Sequence, residues 1–411
     1  MAAMRVRRRG VHQTNISTLV GFFVDPAGSD TNAGTSTTVP WRTLAHASTA
    51  IAGGSTVYVR ASTYAESLIF SNSLIPSGST WSAVTRFVAY PGETVWMKPS
   101  TGTVRVLEFS NGQKYIEFDR INLDAANSSF DCVKINGVNS TSAAHHIRIR
   151  NAQVLGNTQS SQTQGSDGNR SAIIMMTQLS TGVLGGNEFS SLTVRRHGGE
   201  EGFAHAFYVQ SPDNLIEWCD ISDVLGSGVQ IFNGQVANVA DNNIVRYNTI
   251  FNLTSNPSTV SHRAVTLGDG RNNQCYGNLI YNIQGPNPLN GGAIFGFAGA
   301  DHLIINNTVE DAVKGIYIEN GCSSVVVRNN IAFNCAQTNY ETQSTNTIAS
   351  NNLFSTANPG FVNASTRDYH LASTSAARNT GIASTLATID LDAVARPQES
   401  TQDIGAYEFV A

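Results

Sequence analysis

The sequence of 411 residues is short of charge, of lysine and of paired cysteine. Charged residues make up 13% of it and lysine occurs 4 times, whereas about a quarter of an average globular chain is charged. This scarcity excludes a charge-driven disordered protein, a coiled coil and a nucleic-acid binder with a broad basic face. The 5 cysteines are odd in number and include no CxxC pair, which supports neither a disulfide framework nor a zinc site. No run approaches the roughly 18 apolar residues of a membrane span, so no membrane partner is expected.

Residues 1–21 form a basic arm that contains Arg5, Arg7, Arg8 and Arg9. A polar stretch follows the arginines instead of the apolar run of about 7–15 residues that marks a secretory signal. We therefore predict no standard signal peptide. The arm has too little apolar surface to become ordered alone, and we expect it to dock on another subunit if the protein belongs to a phage tail.

What the sequence has in abundance is asparagine, 39 residues of it, together with 36 glycines. From about residue 115 to 355 an Asn-x-aliphatic motif recurs in VRYNTIFN, CYGNLIYN, IINNTVED, VVRNNIAFN and IASNNLFS. Registered on the aliphatic residue, the repeat reads Ile221, Ile250, Ile280, Val309, Ile331 and Leu353, with gaps of 29, 30, 29, 22 and 22 residues. The polar position two residues earlier reads Cys219, Asn248, Asn278, Asn307, Asn329 and Asn351.

A second register lies between the members of the first. It begins with a small residue and continues with alternating apolar residues, at Ala206, Gly228, Ala264, Ala293 and Gly315. Each period therefore contains at least two short strands and is too short for a βαβ unit. Strands at this period fit a coil whose turns stack at about 4.8 Å. Equivalent asparagines then line up, so we expect the Asn series to be a buried, hydrogen-bonded scaffold.

The two ends of the chain carry further motifs. Its opening, FFVDPAGSDTNAGTSTTVPWRTLAHAS, and its close, DLDAVARPQESTQDIGAYEF, resemble the first coil and the end segment of the right-handed parallel β-helix, or pectate-lyase-like, superfamily. The resemblance implies an all-β, single-domain solenoid of roughly ten coils. We divide it into the arm at 1–21, an N-terminal cap with the first coils at 22–104, the β-helix at 105–359 and a C-terminal end segment at 360–411.

Ionisable residues are concentrated in TVRRHGGEEGFAHAFYVQSPDNLIEWCD, at residues 193–220. Arg196-His197-Gly198 resembles the Arg-His-Gly segment of alginate-lyase and chondroitinase-B-like β-helices, although the companion Lys of that family pattern on a preceding coil is missing. In the second register His205 and Arg263 occupy equivalent positions two coils apart, so we expect them about 10 Å from each other on one sheet. The predicted catalytic residues are Arg196, His197, His205 and Arg263.

Outward-facing aromatic residues follow the same register, at Tyr208, Phe295 and Tyr317. We expect either an exposed stripe that stacks on sugar rings or cross-strand packing under a loop. The predicted substrate-binding residues are Tyr208, Glu201, Glu217, Phe295 and Tyr317.

Two kinds of chemistry fit these residues. A lyase needs a base for the proton α to a carboxylate and a cation for the developing enediolate, and the arginines and histidines supply both. A hydrolase needs two carboxylates about 5 or 6.5–9.5 Å apart, for which Glu200, Glu201, Glu217, Asp220 and Asp223 are available. A calcium site at Asp220, Asp223 and Asp269 is a weaker expectation, and no other cofactor or metal is expected.

The resulting hypothesis is a protein that engages a polysaccharide outside the cell. We favour a depolymerase that cleaves an acidic glycan by β-elimination, either secreted as a monomer or mounted on a phage tail as a homotrimer with virion partners. A non-catalytic, glycan-binding tailspike or minor tail protein is the first alternative. A glycoside hydrolase with a carboxylate pair is the second. No nucleic-acid partner is expected.

Overall fold

Three long parallel sheets run side by side through the molecule and enclose one apolar core. The computed structural model describes residues 19–69, 74–100, 105–128, 131–137, 142–157, 172–177, 184–196, 204–234, 236, 239–254, 263–285 and 292–411. Each coil of the chain contributes one short strand to each sheet in turn. The inward side chains are chiefly Val, Ile, Leu and Phe, and those of successive coils stack into the core. The predicted all-β parallel β-helix is confirmed.

The strands below are given in spatial order, as found in the described part of the chain. Sheet 1 consists of β1 (Phe22–Val24), β2 (Thr56–Val59), β4 (Thr85–Ala89), β7 (Lys114–Asp119), β10 (His145–Arg150), β13 (Glu188–Ser190), β16 (Leu215–Glu217), β19 (Ile244–Arg246), β22 (Gln274–Tyr276), β26 (Leu303–Ile305), β30 (Val326–Arg328) and β33 (Ile348–Ser350). Sheet 2 consists of β3 (Ser62–Tyr64), β5 (Val95–Met97), β8 (Ile121–Asp124), β11 (Gln153–Leu155), β14 (Thr193–Arg195), β17 (Asp220–Ser222), β20 (Thr249–Thr254), β23 (Leu279–Gln284), β27 (Thr308–Ala312), β31 (Ile331–Phe333) and β34 (Leu353–Ser355). Sheet 3 consists of β6 (Leu107–Phe109), β9 (Val133–Ile135), β12 (Ala172–Met176), β15 (His205–Val209), β18 (Val229–Ile231), β21 (Val265–Leu267), β24 (Ile294–Gly296), β28 (Lys314–Ile318) and β32 (Thr338–Thr342).

Buried asparagines line the turn from sheet 1 to sheet 2. The backbone and side-chain amides of Asn248 both donate to Oδ1 of Asn278 at 2.9 and 3.0 Å, and Asn278 repeats both bonds to Asn307. The expected ladder is confirmed at these three positions. It continues through Asn330 and Asn352, so the prediction of Asn329 and Asn351 was wrong by one residue.

The slip has a conformational cause. Strand pairing aligns Val309 with Ala332 instead of Ile331. Asn329 and Asn351 adopt positive φ angles of 55° and 49°, a left-handed conformation that asparagine tolerates better than most residues. The first Asn of each Asn-Asn pair therefore makes the bend, and the second one points into the core.

A second asparagine ladder, which the repeat analysis missed, lines the turn from sheet 3 to sheet 1. Asn187 donates to Asn214, Asn214 to Asn243, and the Asn243 backbone amide to Oδ1 of Asn273. The next coil has His302 at this place, fully buried, with its Nε2 2.9 Å from the carbonyl of Ala298. Both ladders fix the turns between sheets with bonds that only stacked coils make.

Additional elements cover the solenoid. The helix α1 (Leu44–Ala50) is capped by the Thr43 hydroxyl, which accepts a hydrogen bond from the backbone amide of His46, and its Leu44 and Ala47 join the core. Residues 360–411 contain β35 (Phe361–Asn363), a 3₁₀ turn (Ala364–Thr366) and β36 (Asp368–Leu371). They pack on Tyr276 and Ile305 of sheet 1 and on Leu279 and Ile331 of sheet 2, which leaves the outward face of sheet 3 uncovered by this segment. A two-stranded sheet pairs β25 (Gly299–Ala300) with β29 (Cys322–Ser323). In the described residues no helix has the length and apolar character to cross a bilayer.

Candidate functional site

The outward face of sheet 3 presents its side chains in three rows parallel to the solenoid axis. Strand pairing places the residues of the second row opposite one another: Glu108, Lys134, Met175, Tyr208, Gln230, Thr266, Phe295, Tyr317 and Glu341. A first row precedes it by three residues in each coil and contains Arg105, Asp131, His205, Ser227, Arg263, Gly292 and Lys314. The third row follows it by two residues and contains Gln210, Phe232, Gly268, Phe297 and Glu319.

Cations of the first row lie on aromatic rings of the second. The Arg263 guanidinium carbon lies 4.1 Å from the ring centroid of Phe295, one coil further along. Gly292 occupies the first-row position of that coil, so no side chain obstructs Arg263. Lys314 Nζ lies 4.1 Å from the ring centroid of Tyr317 and 2.9 Å from the carboxylate of Glu341. The arrangement holds both cations on the outward face instead of letting them extend into water.

Burial shifts the acid–base properties of this face. It lowers the pKa of Arg263 to about 10, against the attraction of Glu319, which favours the charged form. Burial also raises the pKa of Glu319, while Arg263 and Lys314 act in the opposite direction. An arginine that releases its proton more easily than usual therefore shares this face with a carboxyl group that keeps its proton more readily. Opposed shifts of this kind are typical of sites that transfer protons.

His205 begins the coil on the other side of Ser227. Its Nδ1 accepts a hydrogen bond of 2.8 Å from the backbone amide of Ser227, so the neutral ring carries its proton on Nε2. The ring centroid lies 5.5 Å from that of Tyr208. This tautomer can donate a hydrogen bond through Nε2, but its Nδ1 lone pair is already occupied.

At the N-terminal end of the face, the rows carry a buried ionic group. Arg105 contacts Asp131 at 3.2 Å and Glu108 at 3.4 Å, and Lys134 is buried beside them in the same rows. Burial raises the pKa of Asp131 to about 6, although Arg105 and Lys134 oppose the shift. This group extends the polar surface along the face.

The structure brings some of the predicted site residues together and separates others. His205, Tyr208, Arg263, Phe295 and Tyr317 share the outward face of sheet 3, in the register that the sequence predicts. The expectation of an exposed aromatic stripe was wrong for Phe295 and Tyr317, which are 1% and 3% exposed. Their rings stack on each other with centroids 5.5 Å apart, and the two cations lie on them.

The remaining predicted residues lie elsewhere. Glu217 faces outward from sheet 1, where it pairs with Arg246 at 2.7 Å. Arg196 follows β14 of sheet 2 and pairs with Asp124, which also contacts Lys98 Nζ at 3.3 Å. His197, Glu200 and Glu201 lie outside the described residues.

The carboxylates considered for calcium or hydrolysis do not converge. Asp220 of sheet 2 pairs with Arg195 at 3.1 Å, Asp223 accepts a hydrogen bond from Ser222, and Asp269 follows β21 of sheet 3. No group of three or more His, Cys, Asp or Glu side chains in the described part of the chain is arranged to hold a metal ion. These three aspartates do not fit a calcium site, and no step below uses one.

Sequence reasoning missed four residues of this face: Lys314, Glu319, Glu341 and Phe297. Lys314 was visible in the second register as the equivalent of Arg263, and the same register extended by one coil leads to Glu341. No repeat signal marks Glu319 or Phe297, because their row begins where the strands end and the alternation stops.

Comparison with known proteins supports the fold alone. No protein-family model matches the chain, and no curated protein matches its sequence. Among solved structures, pectate lyase Pel9A is similar over 94% of this chain and 96% of its own, with 15% identity and a TM-score of 0.66. A glycoside hydrolase is similar over 86% of this chain and 99% of its own, with 10% identity and a TM-score of 0.56. XylC, solved with xylose, matches 80% of this chain and 69% of its own, with 10% identity and a TM-score of 0.55. The chain thus has the parallel β-helix fold of the pectate-lyase type.

Proposed function

We propose that the protein binds an acidic polysaccharide along the outward face of sheet 3 and cleaves it by β-elimination. The observation that carries the proposal is the pairing of shifts at Arg263 and Glu319: burial lowers the pKa of the arginine to about 10 and raises the pKa of the carboxyl group. The printed activities of similarly folded proteins, a pectate lyase and a glycoside hydrolase, support a glycan as the substrate. Fold likeness by itself assigns no reaction.

The proposed reaction moves one proton in and one proton out. Arg263 in its neutral form removes the proton α to the uronate carboxylate. The electron pair forms the new C4–C5 double bond as the C4–O bond to the leaving sugar breaks. Glu319, which holds its proton more readily than a solvated glutamate, protonates the leaving oxygen. Lys314 supplies positive charge for the carboxylate as negative charge develops on it.

His205 has a positioning role in this proposal. Because its Nδ1 accepts the Ser227 amide hydrogen, Nε2 is the donor that remains for a sugar hydroxyl or carboxylate oxygen. First-row residues two coils apart are separated by about 10 Å. His205 and Arg263 would therefore contact different parts of one bound oligosaccharide.

The test is an activity screen against acidic polysaccharides, followed by ultraviolet absorbance of the unsaturated product. Arg263→Ala should lower kcat/KM by about 10²–10⁴-fold, and the wild-type rate should rise with pH as more Arg263 becomes neutral. Arg328→Ala, at an outward arginine of sheet 1, is the matched control and should leave the rate unchanged. Full activity of the Arg263→Ala variant would refute the assignment of the base.

A glycoside hydrolase is the second candidate, favoured by a specific arrangement. Glu319 and Glu341 both lie on the outward face of sheet 3 near Lys314, and burial raises the pKa of Glu319 as a general acid requires. The same screen separates the reactions. Hydrolysis yields new reducing ends without ultraviolet absorbance, and then Glu341→Gln should abolish activity.

The setting in which the protein acts is a further part of the proposal. A secreted enzyme should be monomeric, whereas a phage tail protein should form a trimer in which the arm of Arg5 to Arg9, outside the described residues, contacts a neighbouring chain. Light scattering of the full chain and of a variant without residues 1–21 distinguishes these settings. A non-catalytic tail protein would bind glycan in the screen and release no product.

A further inference from the structure

Phe297 is the aromatic residue of sheet 3's outward face that remains open to solvent. It is 40% exposed, whereas the rings of Phe295 and Tyr317 beside it are covered by each other and by the two cations. Among the large hydrophobic side chains that are exposed in the described residues, Phe297 alone is aromatic. It stands in the third row, between Gly268 on the preceding coil and Glu319 on the next.

Neighbouring rings hold Phe297 in a fixed orientation. The Phe232 ring lies 5.9 Å away and meets it edge-on at 69°, and the Phe295 ring lies 5.9 Å away at a tilt of 38°. Phe232 and Phe297 are two coils apart, and they meet because Gly268 separates them. A Cβ atom at Gly268 would lie 3.3 Å from Cβ and Cδ2 of Phe232. The ring is therefore set before any ligand arrives.

We infer that Phe297 is a stacking platform for one sugar of the bound polysaccharide and so a specificity-determining residue of the site. The inference rests on the proposed function. Pyranose rings have an apolar C–H face that matches an exposed aromatic ring, while their hydroxyl and carboxylate groups project around the rim. Phe295, which touches Phe297, lies under the guanidinium of Arg263, and Glu319 follows Phe297 in the row.

This surrounding chemistry defines the sugar that fits. Arg263 can hold a carboxylate at one side of the platform, and Glu319 can accept hydrogen bonds from hydroxyls at the other. The matching ligand is a uronate with one unsubstituted C–H face. A sulfate or a second carboxylate on the Glu319 side would be repelled, so the platform selects against heavily sulfated glycans.

The test measures binding separately from cleavage. In the cleavage-inactive Arg263→Ala background and in the otherwise wild-type protein, affinity electrophoresis is run with polygalacturonate, alginate, hyaluronan and heparin. Phe297→Ala and Phe297→Leu should both weaken binding of the preferred uronate polymer roughly tenfold. Phe297→Trp should retain it, because an aromatic face is preserved whereas leucine offers only bulk. Ile382→Ala, at a side chain of the C-terminal segment that is also 40% exposed, should leave binding unchanged.

The outcomes separate the two proposals. If the wild-type protein binds none of the polymers, the proposed function fails and the platform fails with it. If it binds and the leucine variant binds equally well, stacking on Phe297 is refuted while the proposed function stands. Heparin bound more tightly than the uronate polymers would also contradict the assigned ligand class.

Discussion

Replacing Asn307 by leucine tests the physical role of the asparagine ladder. Oδ1 of Asn307 accepts hydrogen bonds from the backbone amide of Asn278 at 3.0 Å and from its side-chain amide at 2.9 Å. After the substitution the Asn278 side chain still reaches the carbonyl of Val245, and Oδ1 of Asn330 still accepts from the backbone of residue 307. The fully buried backbone amide of Asn278 is left without this acceptor. One orphaned buried donor costs about 1–3 kcal/mol.

Two measurements check this value. Urea unfolding gives the change in the free energy of unfolding, and hydrogen exchange followed by mass spectrometry reports on the segment that contains the Asn278 amide, which should lose protection. Asn346→Leu, at an exposed turn position, is the control and should stay within about 0.5 kcal/mol of the wild type. A loss below about 0.5 kcal/mol for Asn307→Leu, with unchanged protection of Asn278, would show that the ladder bonds contribute nothing net.

Three further predictions concern ionisable groups. Burial lowers the pKa of His302, so the stability it permits is lost as pH falls below about 6.5; His302→Asn, which extends the second ladder, should remove this acid sensitivity in thermal melts at pH 5 and 7. Hydrogen bonds to Asp392 and Asp368 raise the pKa of His370, so His370→Gln should destabilise the protein at pH 5.5 and lose its effect as pH rises through that pKa. Arg396→Met leaves Glu408, its buried partner at 2.7 Å, without a counter-charge; it should cost about 3–5 kcal/mol at pH 8 and less at pH 5, because the pKa of Glu408 is already raised to about 7 and protonation removes its charge.

The asparagine repeats show how far a linear pattern leads. Period-2 alternation and the Asn motif predicted the coils and the register of sheet 3, because both depend on side chains that must face one core. The same motif misplaced Asn329 and Asn351 by one residue. In an Asn-Asn pair either residue can make the bend, and the choice depends on which backbone adopts the left-handed conformation. Pairing with the coil before it decides this, and no local signal reports it.

The candidate site divides along the same line. The sequence by itself determined a parallel solenoid, the stacking of Tyr208, Phe295 and Tyr317 on one face, and the equivalence of His205 and Arg263, since each follows from a repeat length. Only the tertiary structure decided that Arg263 folds over Phe295, that Glu217 belongs to another sheet, and that Phe297 is the ring left open to solvent. Contacts between coils set burial, and burial sets pKa and exposure, so these properties do not exist until the coils stack.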